Sequence, residues 1–165
     1  MTPETVLRMI RDYKACAAKA VQLEGEIEIL KMQAEKAMEN EMAESALHGA
    51  NMDGMPHSTG PGDPTGSHVA RFLDGYKPLY LRDLDADIEG REKRVRELRV
   101  VCRLVEGWMQ VLPERERFVI QRHMILGDYW GEVIRLYSQR WGQIGKDALK
   151  KVQKQALERI YAVAK

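Results

Sequence analysis

The stretch "GKDALKKVQKQALERIY", residues 145–161, gathers Lys146, Asp147, Lys150, Lys151 and Lys154 within a few turns of any helix it forms. At helical spacing Leu149, Val152, Ala156, Leu157 and Ile160 share one side and the lysines lie largely off it. Such a helix buries its apolar side and turns ammonium groups outward, the geometry by which a recognition helix meets a phosphate backbone. Taken alone, the same residues are also an ordinary solvated lysine face.

Other chemistry finds less support. His48, His57, His68 and His123, with Asp53 and Asp63 between them, show none of the ligand spacings HxxxH, HExxH or Cys-His, so a metal site is not expected and the loop histidines read as solvated. No GxxxxGK[ST] phosphate loop occurs, and no Ser, His and carboxylate set has the setting of a nucleophilic triad. The expectation is a protein that is not an enzyme and uses no cofactor. Cys16 and Cys102 fall at apolar positions of helical patterns without a CxxC partner, as small buried hydrophobes in a reducing compartment would. No run approaches the ~20 apolar residues of a membrane span, and no charged leader precedes an apolar core. A cytoplasmic protein without membrane contact is expected.

Composition asks for helices to carry these residues. Ala, Leu, Glu, Lys, Arg and Met dominate, and β-branched and aromatic residues never alternate over a useful length. The net charge of +1 conceals a gradient along the chain. Residues 1–48 sum to −3, 49–76 to −2, 77–112 to +1 and 113–165 to +5, the last from eleven basic and six acidic groups. A basic end on an otherwise acidic chain is the electrostatic footprint of a nucleic-acid-binding module. That end also holds Trp130 and Trp141, with Trp108 just before it, whereas the first 48 residues have Tyr13 as their one aromatic.

Four segments follow. Thr2, Pro3 and Glu4 make a helix start, and a heptad runs from there through residue 48. Val6, Tyr13, Ala20, Ile27 and Ala34 hold one seam position; Met9, Cys16, Leu23, Leu30 and Ala37 hold the other. Residues 49–76 open with "GANMDGMPHSTGPGDPTGSH", a Gly- and Pro-rich loop with Met52 and Met55, and continue with a short helix through Val69, Phe72, Leu73 and Tyr76. After Pro78 a second heptad, residues 77–112, uses Leu81, Leu84, Ile88, Arg91, Val95, Leu98, Cys102, Val105, Met109 and Leu112. Two seams of similar length bury each other as an antiparallel coiled-coil hairpin within one chain, or pair between chains as a homo-oligomer. Arg91 sets register at some cost or snorkels to water. The fourth segment, 113–165, holds three helices. One starts at Pro113 and ends at Gly127 and Asp128, a short one carries Val133, Ile134, Leu136 and Tyr137, and the basic one begins near Lys146. That is the helix content of a helix-turn-helix.

"LPERERFVIQRHMILG", "EVIRLY" and "KKVQKQALERI" in that order resemble region 4 of bacterial sigma factors over the last 53 residues. With the loop and the helix before it, the whole chain resembles the sigma-region-4-like phage proteins of the ArpU and RinA type, regulators of late transcription. The resemblance implies double-stranded DNA and host RNA polymerase as partners. It puts Lys146, Asp147, Lys150, Lys151 and Lys154 at DNA-facing positions and Leu149, Val152 and Leu157 at packing positions. One spacing departs from the pattern: Ser138 lies eleven residues before Leu149, against about six in the family. "SQRWGQIGKDA" is therefore expected as a long connection in which Gly142 and Gly145 permit bends, Trp141 fills the gap and Arg140 contacts phosphate.

The fold class expected is all-α, a long antiparallel coiled-coil hairpin with a C-terminal helix-turn-helix, and the leading function is sequence-specific regulation of phage or prophage genes. A small terminase-like packaging subunit combines similar parts, although its DNA-binding module usually precedes the coil. A coiled-coil interaction protein that binds no DNA is the reading from a different class.

Overall fold

The computed structural model describes residues 1–48 and 77–164. The Gly- and Pro-rich loop, the short helix after it, His57, His68 and the two loop methionines lie outside the described residues. Among those described, every regular element is helical: α1 (Pro3–His48), α2 (Leu79–Val111), α3 (Glu114–Val119, continued by a π-helical turn Ile120–Ile125), α4 (Trp130–Trp141) and α5 (Lys146–Val163). None of these helices is long and apolar enough to cross a membrane.

The chain divides into two compact units, Leu23–Lys93 and Met1–Gln22 with Arg94–Lys165. In the first of these, Leu23, Ile27, Leu81 and Ile88 are buried. Charged partners bracket them, Lys31 Nζ with Glu92 Oε1 at 2.7 Å and Arg91 with Glu26. Arg91, the one polar seam residue, thus reaches across to α1 while also holding Asp87 one turn back at 3.2 Å. The hydroxyl of Tyr80 donates to Glu41 at 2.9 Å. Partners late in α1 are early in α2.

The second unit contains the larger core. Thr2 caps α1, its Oγ1 accepting from the Thr5 N–H at 3.3 Å. Val6 and Ile10 from this first stretch of α1 join Val105 and Trp108 of α2, Leu112 just after it, Ile120 of the π-helical turn, and Ala156 and Ile160 of α5 in one buried cluster. Ile10, Ile120 and Ile160 are essentially solvent-free, and each such side chain is worth about 1.5–3 kcal/mol of burial. Tyr13 fastens the same face, its hydroxyl donating to Glu106 Oε1 at 2.8 Å. None of the ten positions of the first heptad, and none of the ten of the second, is exposed.

Two joints hold α3 in place. At its start, Arg117 Nη2 donates to the carbonyls of Leu112 (3.0 Å) and Gln110 (3.3 Å), acceptors that the end of α2 leaves without an intrahelical donor. At its end the helix widens. The Leu126 N–H bonds the Gln121 carbonyl five residues back at 2.9 Å, and the Asp128 N–H bonds Arg122 six back at 3.0 Å. An ordinary Schellman closure reaches one residue less far, and the π turn accounts for the difference. Gly127, at φ 80°, supplies the left-handed residue that the closure needs.

Candidate nucleic-acid interface

α4 and α5 stand on α3 through a second buried cluster of Val119, Val133, Tyr137 and Leu149, with Phe118, Trp130, Ile134, Trp141, Ile144 and Val152 packed around it. Its aromatic members meet edge-on or tilted, Phe118 with Trp141 at 5.1 Å between ring centroids and Tyr137 with Trp141 at 4.8 Å. Trp141 therefore belongs to α4 itself, which corrects the expected long connection. Ser138, Gln139 and Arg140 continue the helix because Trp141 has a core to enter, and the turn to α5 is only Gly142–Gly145. Gly142 takes φ 96° and ψ 168° there; Gly145 is ordinary extended backbone at φ −84°.

α5 begins at Lys146 with no side-chain cap and only Asp147 as an acid in its first turn. Leu149, Ala156 and Ile160 are buried and Val152 and Leu157 half-buried, so the helix is anchored along one side. Lys146, Asp147, Lys150, Lys151 and Lys154 are all exposed. Lys146, Lys150 and Lys151 make no ion pair among the described residues, whereas Lys154 Nζ lies 4.0 Å from Glu158 one turn on. The unengaged ammonium groups lie near the N–H groups at the start of α5, and Asp147 is the acid within that first turn.

Arg140 is exposed too, but engaged. Its guanidinium pairs with Glu114 at the start of α3 and lies 4.8 Å over the Trp141 ring. It stays on the α4 side of the Gly142 turn, apart in the chain from the lysines it was expected to join. Arg135, also on α4, is held by Glu132 one turn back, and the hydrogen bond from Arg135 keeps the Glu132 carboxyl below its usual range.

Glu116 and His123 had no role assigned by spacing. Glu116 is 8% exposed, and its Oε2 lies 3.2 Å from Arg159 Nε of α5. A carboxylate in "PERER" looks solvated, yet Glu116 precedes Val119 and Ile120 by three and four residues and so shares their inward face. His123 Nδ1 donates to the Asp128 carbonyl at 2.9 Å, and its ring lies 4.0 Å from that of Trp130, so this histidine is a structural part of the α3–α4 turn. Beside it Arg122 Nε and Asp128 Oδ2 approach to 2.8 Å as an ion pair without the alignment of a hydrogen bond. Among the described residues no three His, Cys, Asp or Glu side chains gather as metal ligands do. Comparison with known protein families, with curated proteins and with solved structures finds no match to this chain.

Proposed function

We propose that the chain binds double-stranded DNA through α4 and α5 and acts as a sequence-specific transcription regulator of the phage or prophage late-gene kind, sigma-region-4-like in its last 53 residues. One observation carries the reading. α5 follows α4 after a four-residue, glycine-bounded turn, the connection length and composition of a helix-turn-helix, and faces solvent with Lys146, Lys150, Lys151 and Lys154. In this reading the lysines contact phosphate and set the register of α5 in the major groove, Asp147 opposes non-specific binding, and Arg140 becomes available when Glu114 releases it. The paired heptads of α1 and α2 form a coiled hairpin that supports the module and offers a surface to host RNA polymerase.

Titration with duplex DNA at several salt concentrations tests it. Lys150→Ala and Lys151→Ala should each weaken binding to all duplexes alike and flatten the salt dependence by about one unit of slope per contact. If one of them reads a guanine edge, its loss should instead be selective, by about 1–3 kcal/mol at the preferred site. A double variant that melts normally and binds with unaltered affinity and salt slope would return these lysines to a solvated face.

A further inference from the structure

Cys16 and Cys102 are the two cysteines of the chain, both free thiols, the first half-buried and the second only 3% exposed. They belong to different helices, and the contacts between those helices set them opposite each other. Val6 of α1 and Leu112, just after α2, share one buried cluster. Seven residues on from Val6 and seven back from Leu112 stand Tyr13 and Val105, and the Tyr13 hydroxyl reaches Glu106, the neighbour of Val105, at 2.8 Å. The two stretches therefore run antiparallel and in step. Three residues further in each direction come Cys16 and Cys102, at one level and at the same helical spacing as the packed residues before them. Burial first, and then the nearby Cys16, hold the Cys102 thiol above the usual cysteine range. As packing residues alone, two cysteines do no more than other small apolar side chains. Facing each other, they have a chemistry that those lack.

We propose that Cys16 and Cys102 form a reversible intrachain disulfide, tying α1 to α2, when the chain meets a low-molecular-weight disulfide such as oxidised glutathione. Cys16, the more accessible, reacts first. Its thiolate attacks one sulfur of the glutathione disulfide, that S–S bond breaks, and one glutathione leaves as the thiolate. Cys102 then loses its proton and attacks Cys16 Sγ in the mixed disulfide, expelling the second glutathione. Two protein thiols give up two electrons, one glutathione disulfide becomes two glutathione thiols, and the two protons end on those thiols. Buried and held protonated, Cys102 resists direct attack by the oxidant and acts only once the neighbouring sulfur is activated. The bond has a structural consequence for the basic helix. Val6 and Ile10 of α1 and Val105 and Trp108 of α2 share their buried cluster with Ala156 and Ile160 of α5, so the disulfide fixes the layer on which α5 rests.

Equilibration of the full chain with mixtures of reduced and oxidised glutathione, without DNA, tests the inference independently of any DNA reading. In the folded wild-type chain, peptide mass mapping should find Cys16 joined to Cys102. The formation constant against glutathione should exceed that of the same chain in urea at least about tenfold, because the fold already holds the two thiols together. Cys102→Ala should stop at Cys16 with glutathione attached. Cys16→Ser should take up none under the same conditions, and glutathione on Cys102 there would overturn the order of attack. A folded wild-type chain that ends as a Cys16–glutathione mixed disulfide or as disulfide-linked dimers overturns the proposal. So does a formation constant no larger than that in urea, which would mean that the fold does not bring the two sulfurs within bonding reach.

Discussion

Glu116 Oε2 and Arg159 Nε lie 3.2 Å apart, joining α3 to α5, and the carboxylate side is only 11% exposed while the guanidinium side is 57% exposed. The pair is therefore asymmetric in what its loss would cost. Truncating Arg159 strands a nearly buried charge, whereas neutralising Glu116 leaves an arginine that water solvates. Arg159→Ala should destabilise the fold by about 1–2 kcal/mol, discounted from a fully buried pair because Arg159 reaches solvent. Glu116→Gln should cost less, and Arg159→Ala should cost little more once Glu116 is already Gln. Urea denaturation of the double-mutant cycle measures this; additive costs would mean that the two side chains do not interact.

The turn between α4 and α5 invites a backbone test. Gly142 sits at φ 96° and ψ 168°, in a region that side chains with a Cβ rarely enter, and no neighbouring atom would obstruct one. The cost of Gly142→Ala is thus purely conformational, about 1–3 kcal/mol. Gly127, at φ 80°, lies nearer the left-handed region that asparagine tolerates. Gly127→Asn should cost less than Gly142→Asn in the same thermal melts, and equal costs would show that the two turns do not differ in this way.

What the residues revealed in advance, and what they hid, follows from the kind of signal each carries. None of the heptad positions counted in the two long segments is exposed, because burial on a helix leaves a periodic trace, and Thr2 and Pro78 mark helix starts through local capping and backbone chemistry. The start of α5 at Lys146 was legible from Gly145 and the apolar spacing after it. The end of α4 was not, since "SQRWGQIG" is polar apart from Trp141 and Ile144, and only the surrounding aromatics reveal that Trp141 is packed. The widened turn at Ile120–Ile125 leaves no compositional mark, because it is a shift in backbone bonding. For the candidate interface, the exposure of the lysines on α5 was readable from phase alone. The engagement of Arg140 by Glu114, 26 residues away in sequence, was not.

Tyr13 should report on alkaline stability. Its hydrogen bond to Glu106, then burial and the nearby negative charge, hold its phenol above the ordinary tyrosine range. A group that keeps its proton more tightly when folded contributes stability that is present below the unfolded value, about 10, and is lost as pH rises through the folded value. Tyr13→Phe should be less stable than wild type near neutrality, and the gap should narrow as pH climbs past the tyrosine range. Denaturant midpoints measured across that range check it. A gap that widens with pH would reverse the assigned role of the Tyr13–Glu106 bond.

Arg140 and Glu114 give the sharpest test of how DNA would be met. In the free chain the guanidinium is held between a carboxylate and the face of Trp141, both components of the module's own surface. Both partners of the ion pair are more than half exposed, 57% and 63%, so the pair adds little to folding, and Glu114→Gln should leave the melting temperature almost unchanged. It should nevertheless tighten binding to duplex DNA, by about twofold to fivefold at low salt, because it removes an acid beside the basic surface and leaves Arg140 to phosphate. Arg140→Ala should weaken binding, and adding Glu114→Gln to it should recover only the part due to the removed acid. If Glu114→Gln binds duplex DNA no better than wild type at any salt concentration, Arg140 is a structural partner of Glu114 and Trp141, and the lysines of α5 act without it.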